Sequence, residues 1–374
     1  MRILVTGRGF DDPRKHEVGL FESDQARALQ RSGHEVRFAA VDTRSLRRPR
    51  PWGCREYDLG GLRVYYAAIP AGAKPEALSE AAQRKAADLL WKKITADGWR
   101  PDVIHSHFGA GFLPAAKREG IPWVFTEHSS DANHDDISEK EKRREAAIYP
   151  RADRLVCVSS ALARRIEAHT GIRPAVISNI ADLEAFAVPE RKERGRDVFR
   201  FVSAGNLIRG KGFDVLIRAF ARLESPAELT IIGDGPEEDS LRALAAEQGM
   251  GGSVTFTGRL SRREMAEIYG RSDAFVLASE AETFGVVFIE AMACGLPVIA
   301  TRCGGPEDFV DDSNGLLVPV GDADAIASAM EEMIRRRVSF DDEAVARRVR
   351  ERYGPEPIAK QLVSLYRPLL AERG

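Results

Sequence analysis

Glu282-Thr283-Phe284-Gly285-Val286-Val287-Phe288-Ile289-Glu290, running on into Ala291-Met292-Ala293-Cys294-Gly295-Leu296-Pro297-Val298, is the stretch from which this 374-residue chain is best read. Residues 274–279 before it and 297–301 after it pattern as strands, so the unit is strand, loop, helix, strand. Glu282 then sits on the loop and Gly285 near the helix start. Glu290 follows roughly one and a half turns later, about 7–8 Å along the axis. A helix N-terminus presents unpaired N–H groups and a positive dipole end, which suits a phosphate. Gly285 lets a ligand approach that backbone closely, and the rise to Glu290 matches the reach from a diphosphate to a nucleotide's ribose. The plain alternative makes Glu290 a solvated helix carboxylate. Its neighbours Phe288, Ile289, Ala291 and Met292 argue against that, because a charge among such residues needs a partner.

The pattern Glu282-x7-Glu290 followed by Ala-Met-Ala-Cys-Gly-Leu-Pro-Val resembles the signature of the retaining glycosyltransferases of family 4 (glycosyl transferases group 1). The resemblance implies an α/β fold of GT-B architecture, two doubly wound Rossmann-like domains facing across a cleft. It covers nearly the whole chain, is dense over residues 199–320 and is mostly topological before residue 100. The implied division is an acceptor-binding domain at 1–180, a linker at 181–198, a nucleotide-sugar-binding domain at 199–353, and a terminal helix at 354–374 crossing back to the first domain.

Composition narrows the class independently. The length suits two domains rather than one core. Apolar residues at 44% and charged residues at 30% describe a globular protein, and a formal charge of −2 gives no electrostatic case for nucleic-acid binding. No apolar run approaches a bilayer's thickness. Four scattered cysteines without a Cys-x-x-Cys pair fit free thiols in a reducing compartment. The expected location is cytoplasmic. Arg44, Arg47, Arg48 and Arg50 cluster in a Pro-containing loop, which reads either as a solvated loop or as a peripheral contact with an anionic membrane face.

In the first half, residues 2–7 read as a buried strand followed by the turn Gly7-Arg8-Gly9. A dinucleotide fingerprint is incomplete there, because Asp12 stands where a third glycine belongs. The resemblance places an acceptor-side loop here, with Gly7, Gly9 and Gly19. Residues 101–108 form a strand ending His105-Ser106-His107, two histidines that share a face. They read as packing groups, or as half of a metal site completed by Asp131, His134, Asp135 and Asp136. Residues 122–127 form the next strand, and His128 follows its carboxyl end, where open parallel sheets bind ligands. In the family, a histidine at this position contacts the sugar and the reaction centre. The segment 139–147 reads as a charged helix, mostly a solvated face.

From residue 199 strands and helices alternate, as in a parallel sheet covered on both faces. The loop Gly205-Asn206-Leu207-Ile208-Arg209-Gly210-Lys211-Gly212 follows the first of these strands. The resemblance gives it the donor diphosphate, with Lys211 as the cation; a cation beside glycines suits a phosphate. Many relatives carry arginine where Asn206 stands, so Arg209 becomes the candidate replacement. Gly258 and Arg259 fall where relatives hold the nucleobase. Thr283, Phe284, Gly285, Val286 and Val287 complete the donor loop, and Glu290 takes the ribose hydroxyls. His128, Glu282 and Lys211 form the expected catalytic set.

The function so implied is transfer of a sugar, with retention, from a nucleotide-diphosphate sugar to a glycan, lipid-linked or small-molecule acceptor. Cell-surface polysaccharide assembly is the favoured setting, with no cofactor and no protein-bound metal. A sugar-nucleotide epimerase of the same architecture and a non-catalytic nucleotide-sugar-binding protein are the alternatives. A dinucleotide dehydrogenase is the weakest reading.

Overall fold

The computed structural model describes residues 1–9, 21–42, 52–69, 76–134, 136–181, 183–190 and 198–371, with residues 76–80 as backbone alone. Asp12, Gly19, Arg44, Arg47, Arg48, Arg50 and Asp135 lie outside the described residues. Internal contacts divide the chain into two units. One comprises Met1–Val158, Ala163–Ile180 and Pro355–Gly374; the other comprises Ser159–Leu162 and Ala181–Gly354.

The first unit is built on an eight-stranded sheet. In chain order its strands are β1 (Arg2–Gly7), β2 (Glu35–Asp42), β3 (Gly53–Leu59), β4 (Leu62–Ala68), β5 (Val103–His107), β6 (Trp123–Glu127), β7 (Arg154–Cys157) and β8 (Ala175–Val176). Their spatial order is β3-β4-β2-β1-β5-β6-β7-β8, and every pairing is parallel except the β3–β4 hairpin. Ile3, Leu4 and Val5 are fully buried, the continuous apolar run expected of a strand covered on both faces. The helix Pro355–Ala371 belongs to this unit. It buries Ile358, Leu362, Tyr366 and Leu369 in the same apolar cluster as Ile3, Val5 and Leu29. Three- and four-residue spacing puts those side chains on one face.

The second unit carries six parallel strands, β9 (Phe199–Ala204), β10 (Ala227–Ile232), β11 (Val254–Gly258), β12 (Ala274–Leu277), β13 (Val298–Thr301) and β14 (Gly315–Val318). Their order is β11-β10-β9-β12-β13-β14. Both sheets are therefore doubly wound. The strand order reverses between β1 and β5 in the first and between β9 and β12 in the second, and ligands favour the carboxyl ends at such switch points.

No helix among the described residues is long and apolar enough to cross a membrane. All four cysteines are free, and Cys157, Cys294 and Cys303 are buried.

Candidate active site

In the second unit the loops leaving β9 and β12 bring Lys211 and Glu282 together. The Lys211 Nζ donates to Glu282 Oε1 at 2.6 Å, and Ser279 Oγ donates to the same oxygen at 2.8 Å. The lysine reaches this place because its loop lies flat on its neighbour. Gly212, at φ 64, has a left-handed backbone, and a Cβ there would fall 2.0 Å from the Ala278 carbonyl oxygen. No residue with a side chain fits. Glu282 is fixed through its own backbone, donating to the Cys303 carbonyl at 3.1 Å and accepting from the Gly305 N–H at 2.8 Å. The pair is thus tethered from β9, β12 and β13, with Lys211 a quarter exposed and Glu282 nearly covered.

Gly285 caps the helix Val286–Ala293 with a φ of 96. A Cβ there would press on the Phe288 ring at 2.8 Å, so the sharp entry that aims the helix N-terminus depends on glycine. Glu290 is the fifth helical residue and 5% exposed. It lies near Tyr269, whose hydroxyl is pushed well above its usual pKa by burial and then by Glu290. Phe284 is 1% exposed and packs against Phe309 and Tyr353 at 5.7 and 5.5 Å, so a ligand would meet its backbone. Thr283, Val286 and Val287 are half-buried. Gly205 is half-buried after β9, while Asn206 and Arg209 are exposed; Arg209 begins the one-turn helix that ends at Lys211. Gly258 ends β11 and its carbonyl accepts from Gly233 N–H at 2.9 Å. The neighbouring Arg259 is engaged with Asp234 at 2.7 Å.

The first unit presents a different cluster at the ends of β1, β5 and β6. His105 is fully buried. Its Nδ1 lies 3.1 Å from Gln25 Nε2 and 2.5 Å from the Tyr366 hydroxyl, and its Nε2 lies 2.6 Å from Thr126 Oγ1. The rings of His105 and His107 stack at 4.7 Å and 14°. His107 Nδ1 and His128 Nε2 share a hydrogen bond of 2.7 Å. Phe21 and Phe108 lie against the His128 ring at 4.5 and 4.8 Å, and the Arg8 guanidinium sits over Phe108 at 3.3 Å. Burial lowers His105 to about 3 and lowers His107 and His128 well below the ordinary imidazole value, so all three are neutral near pH 7. Gly7 is half-buried at the end of β1 against Glu22 and Phe38, and Gly9 is buried.

Sequence reasoning missed two carboxylates here. Glu127 is fully buried. Its Oε1 accepts from the backbone N–H groups of His128 at 2.8 Å and Ser129 at 2.7 Å. Its Oε2 accepts from Tyr149 at 2.7 Å and from Arg144 at 2.5 Å. Arg144 also reaches Glu141; the 139–147 helix is mostly solvated as expected, with Glu141 and Glu145 buried on its inner face. Glu141, Arg144 and Glu145 share one face at three- and four-residue spacing, and that face turns to Glu127. The second is Glu22, wholly buried and raised in pKa by that burial, with Arg8 opposing. Its position in the first turn of the helix Phe21–Arg31 gave no signal of burial.

Two doubly wound α/β units, each with its polar side chains gathered at the switch point, define the GT-B class of fold. Solved structures agree: sucrose-phosphate synthase from Thermosynechococcus elongatus superposes with a TM-score of 0.81 at 24% identity over 99% of both chains. HepE from Anabaena, in complex with UDP and glucose, gives 0.74 at 20% identity over 98% of this chain and 99% of its own. The family models for Glycosyltransferase Family 4 and Glycosyl transferases group 1 match residues 23–185 and 187–352, and the chain belongs to that glycosyltransferase family. A D-inositol 3-phosphate glycosyltransferase of Corynebacterium urealyticum is 34% identical over 318 residues, 73% of each chain. The lipopolysaccharide core biosynthesis glycosyltransferase LpsE of Rhizobium meliloti is 32% identical over 236 residues, 61% of this chain and 66% of its own length.

Proposed function

We propose that the protein is a retaining glycosyltransferase that uses a nucleotide-diphosphate sugar and needs no protein-bound metal. The Lys211–Glu282 pair, held at the β9/β12 switch point, carries this reading. Lys211 and the N–H groups at the start of the Val286–Ala293 helix are assigned to the diphosphate. Glu290 is assigned to the ribose, Gly258 and Arg259 to the nucleobase region, and Glu282 and His128 to the sugar. The bond from the anomeric carbon to the diphosphate oxygen breaks, and a bond to the acceptor oxygen forms on the same face. The acceptor's proton passes to the departing diphosphate. The protein's share is orientation and stabilisation of charge growing on the leaving group. The acceptor side belongs to the loop holding Gly7 and Gly9. The relatives' names divide on the acceptor: a lipopolysaccharide core enzyme points to a glycan or lipid-linked acceptor, and D-inositol 3-phosphate glycosyltransferases point to a small phosphorylated polyol.

The test is release of nucleoside diphosphate across a panel of sugar nucleotides, with and without acceptor, in excess chelator. Turnover that needs acceptor and survives the chelator supports the reading, and NMR of the product's anomeric signal reports retention. Conversion of the donor sugar alone would point to an epimerase, and nucleotide binding without turnover to a binding protein. Loss of activity in chelator restored by a divalent ion would overturn metal independence. Contact with a membrane face is tested by co-sedimentation with anionic against neutral liposomes, and binding without lipid-charge dependence removes that part.

A further inference from the structure

His107 and His128 are joined by a hydrogen bond for which the reaction above has no use. Nδ1 of His107 and Nε2 of His128 are 2.7 Å apart, and both rings are buried. The two remaining nitrogens, His107 Nε2 and His128 Nδ1, are buried without a partner among the described residues. The local chain is shaped to produce this contact. Phe108, at φ 63, is the one non-glycine residue with positive φ among the described residues, and Gly109 N–H returns to the His107 carbonyl at 2.8 Å. Such a conformation is strained and persists where surrounding structure enforces it. It turns the backbone away immediately after β5, so His107 remains a strand residue with its ring beside His128. Behind it, His105 is held at both nitrogens and stacks on His107 at 4.7 Å, which leaves the His107 ring little freedom to swing.

Two neutral imidazoles joined in this way share a single proton in the bond. The tautomer of one ring therefore dictates the tautomer of the other. We propose that His107 is a positioning residue for sugar transfer: by holding Nε2 of His128 it fixes that ring's orientation, ties its tautomer to its own, and leaves Nδ1 as the nitrogen His128 offers to a sugar hydroxyl. The proposal rests on the assignment of His128 to the sugar.

Asparagine places its amide near the Nδ1 position of a histidine, and glutamine near Nε2. The bond seen here uses Nδ1, so His107→Asn should preserve it, His107→Gln should not, and His107→Phe should keep the stacking alone. With the nucleotide sugar identified by the panel above, His107→Phe and His107→Gln are expected to lower kcat about 10–100-fold, the scale of a mis-set supporting contact. KM for the donor should change less than twofold. His107→Asn should recover kcat to within about threefold of wild type. In ¹⁵N-labelled protein, His128 Nε2 should show the shift of a hydrogen-bonded nitrogen in wild type and His107→Asn, and lose it in His107→Phe. Wild-type kcat in His107→Phe beside a crippled His128→Phe overturns the proposal and leaves the assignment of His128 intact. Equal defects in His107→Asn and His107→Gln also overturn it. Full turnover in His128→Phe sinks the assignment of His128 itself, and His107 with it. If His107→Phe does not fold, the contrast between Asn and Gln decides.

Discussion

At the switch point of the first sheet stand three neutral histidines, buried and locked in hydrogen bonds and ring stacks. At that of the second stands a charged pair, Lys211 and Glu282, with the lysine a quarter exposed. The histidines give direction without charge, and staying unprotonated spares them the cost of burying an ion. The lysine gives charge, held by a carboxylate that is itself tethered through its backbone. A group meant to orient a neutral sugar can be buried deeply. A group meant to meet a diphosphate must stay ionised, and so needs an ionic partner and some contact with water.

The contrast breaks most visibly if the rigid side is undermined. Glu127→Ala strips Arg144 of a buried partner and releases the His128 and Ser129 N–H groups, and should destabilise the first unit by about 3–5 kcal/mol. Denaturant unfolding followed by probes in that unit would measure it. A loss below about 1 kcal/mol would mean the His128 loop is not anchored from beneath. On the charged side, Lys211→Ala should cost about 10²–10³ in turnover, the scale for removing one group that stabilises developing charge. Arg209→Ala is expected to lose nearly as much, because Asn206 brings no charge to the same loop. Steady-state rates on both variants decide this: normal turnover in Arg209→Ala would leave Lys211 and the helix N-terminus sufficient.

Smaller effects sharpen the comparison. Glu290→Ala should weaken nucleoside-diphosphate binding by about 1–3 kcal/mol, one charge-assisted hydrogen bond, with the fold retained; unchanged affinity by calorimetry would remove Glu290 from the ribose. The smallest effect belongs to Glu145, raised to about 7 by burial and then by Glu141, with His169 Nδ1 3.8 Å away. The folded chain keeps a proton there that the unfolded chain releases near the ordinary glutamate value of 4.5. That stability is whole below about 4.5 and is lost as pH rises through about 7. Glu145→Gln should therefore melt like wild type in acid and above it at pH 8. A difference flat in pH would discard the assignment.

Much of this was legible in the chain. Alternation after residue 199 gave strands and helices close to those observed, and Glu282, Gly285 and Glu290 fall on loop, helix cap and helix as their spacing implies. The hairpin Gly53–Ala68 was not read, although Leu59-Gly60-Gly61-Leu62 is a two-residue turn signal between strand-forming runs. The 139–147 helix is mostly solvated as its charge implies, but the three- and four-residue spacing of Glu141, Arg144 and Glu145 carried an inner face that overall polarity hid. The histidine contacts lay further out of reach. His107 meets His128 only because β5 and β6 are adjacent, and His105 meets Tyr366 across 261 positions. Local pattern encodes which residues share a face, while sheet order decides which faces touch.

That last contact bears on the order of synthesis. The core of the first unit is completed by the helix Pro355–Ala371, whose Tyr366 closes on His105. A ribosome adding about 5–20 residues per second delivers that helix roughly nine to thirty-five seconds after Ile180. Until then the apolar surface around Ile3, Val5 and Leu29 lacks its cover, and the histidine stack lacks the hydroxyl that locks its base. The second unit, whose residues all precede Pro355, has its full sequence first. The half that begins the chain is therefore the last to mature, and during that interval it is the half most in need of a chaperone.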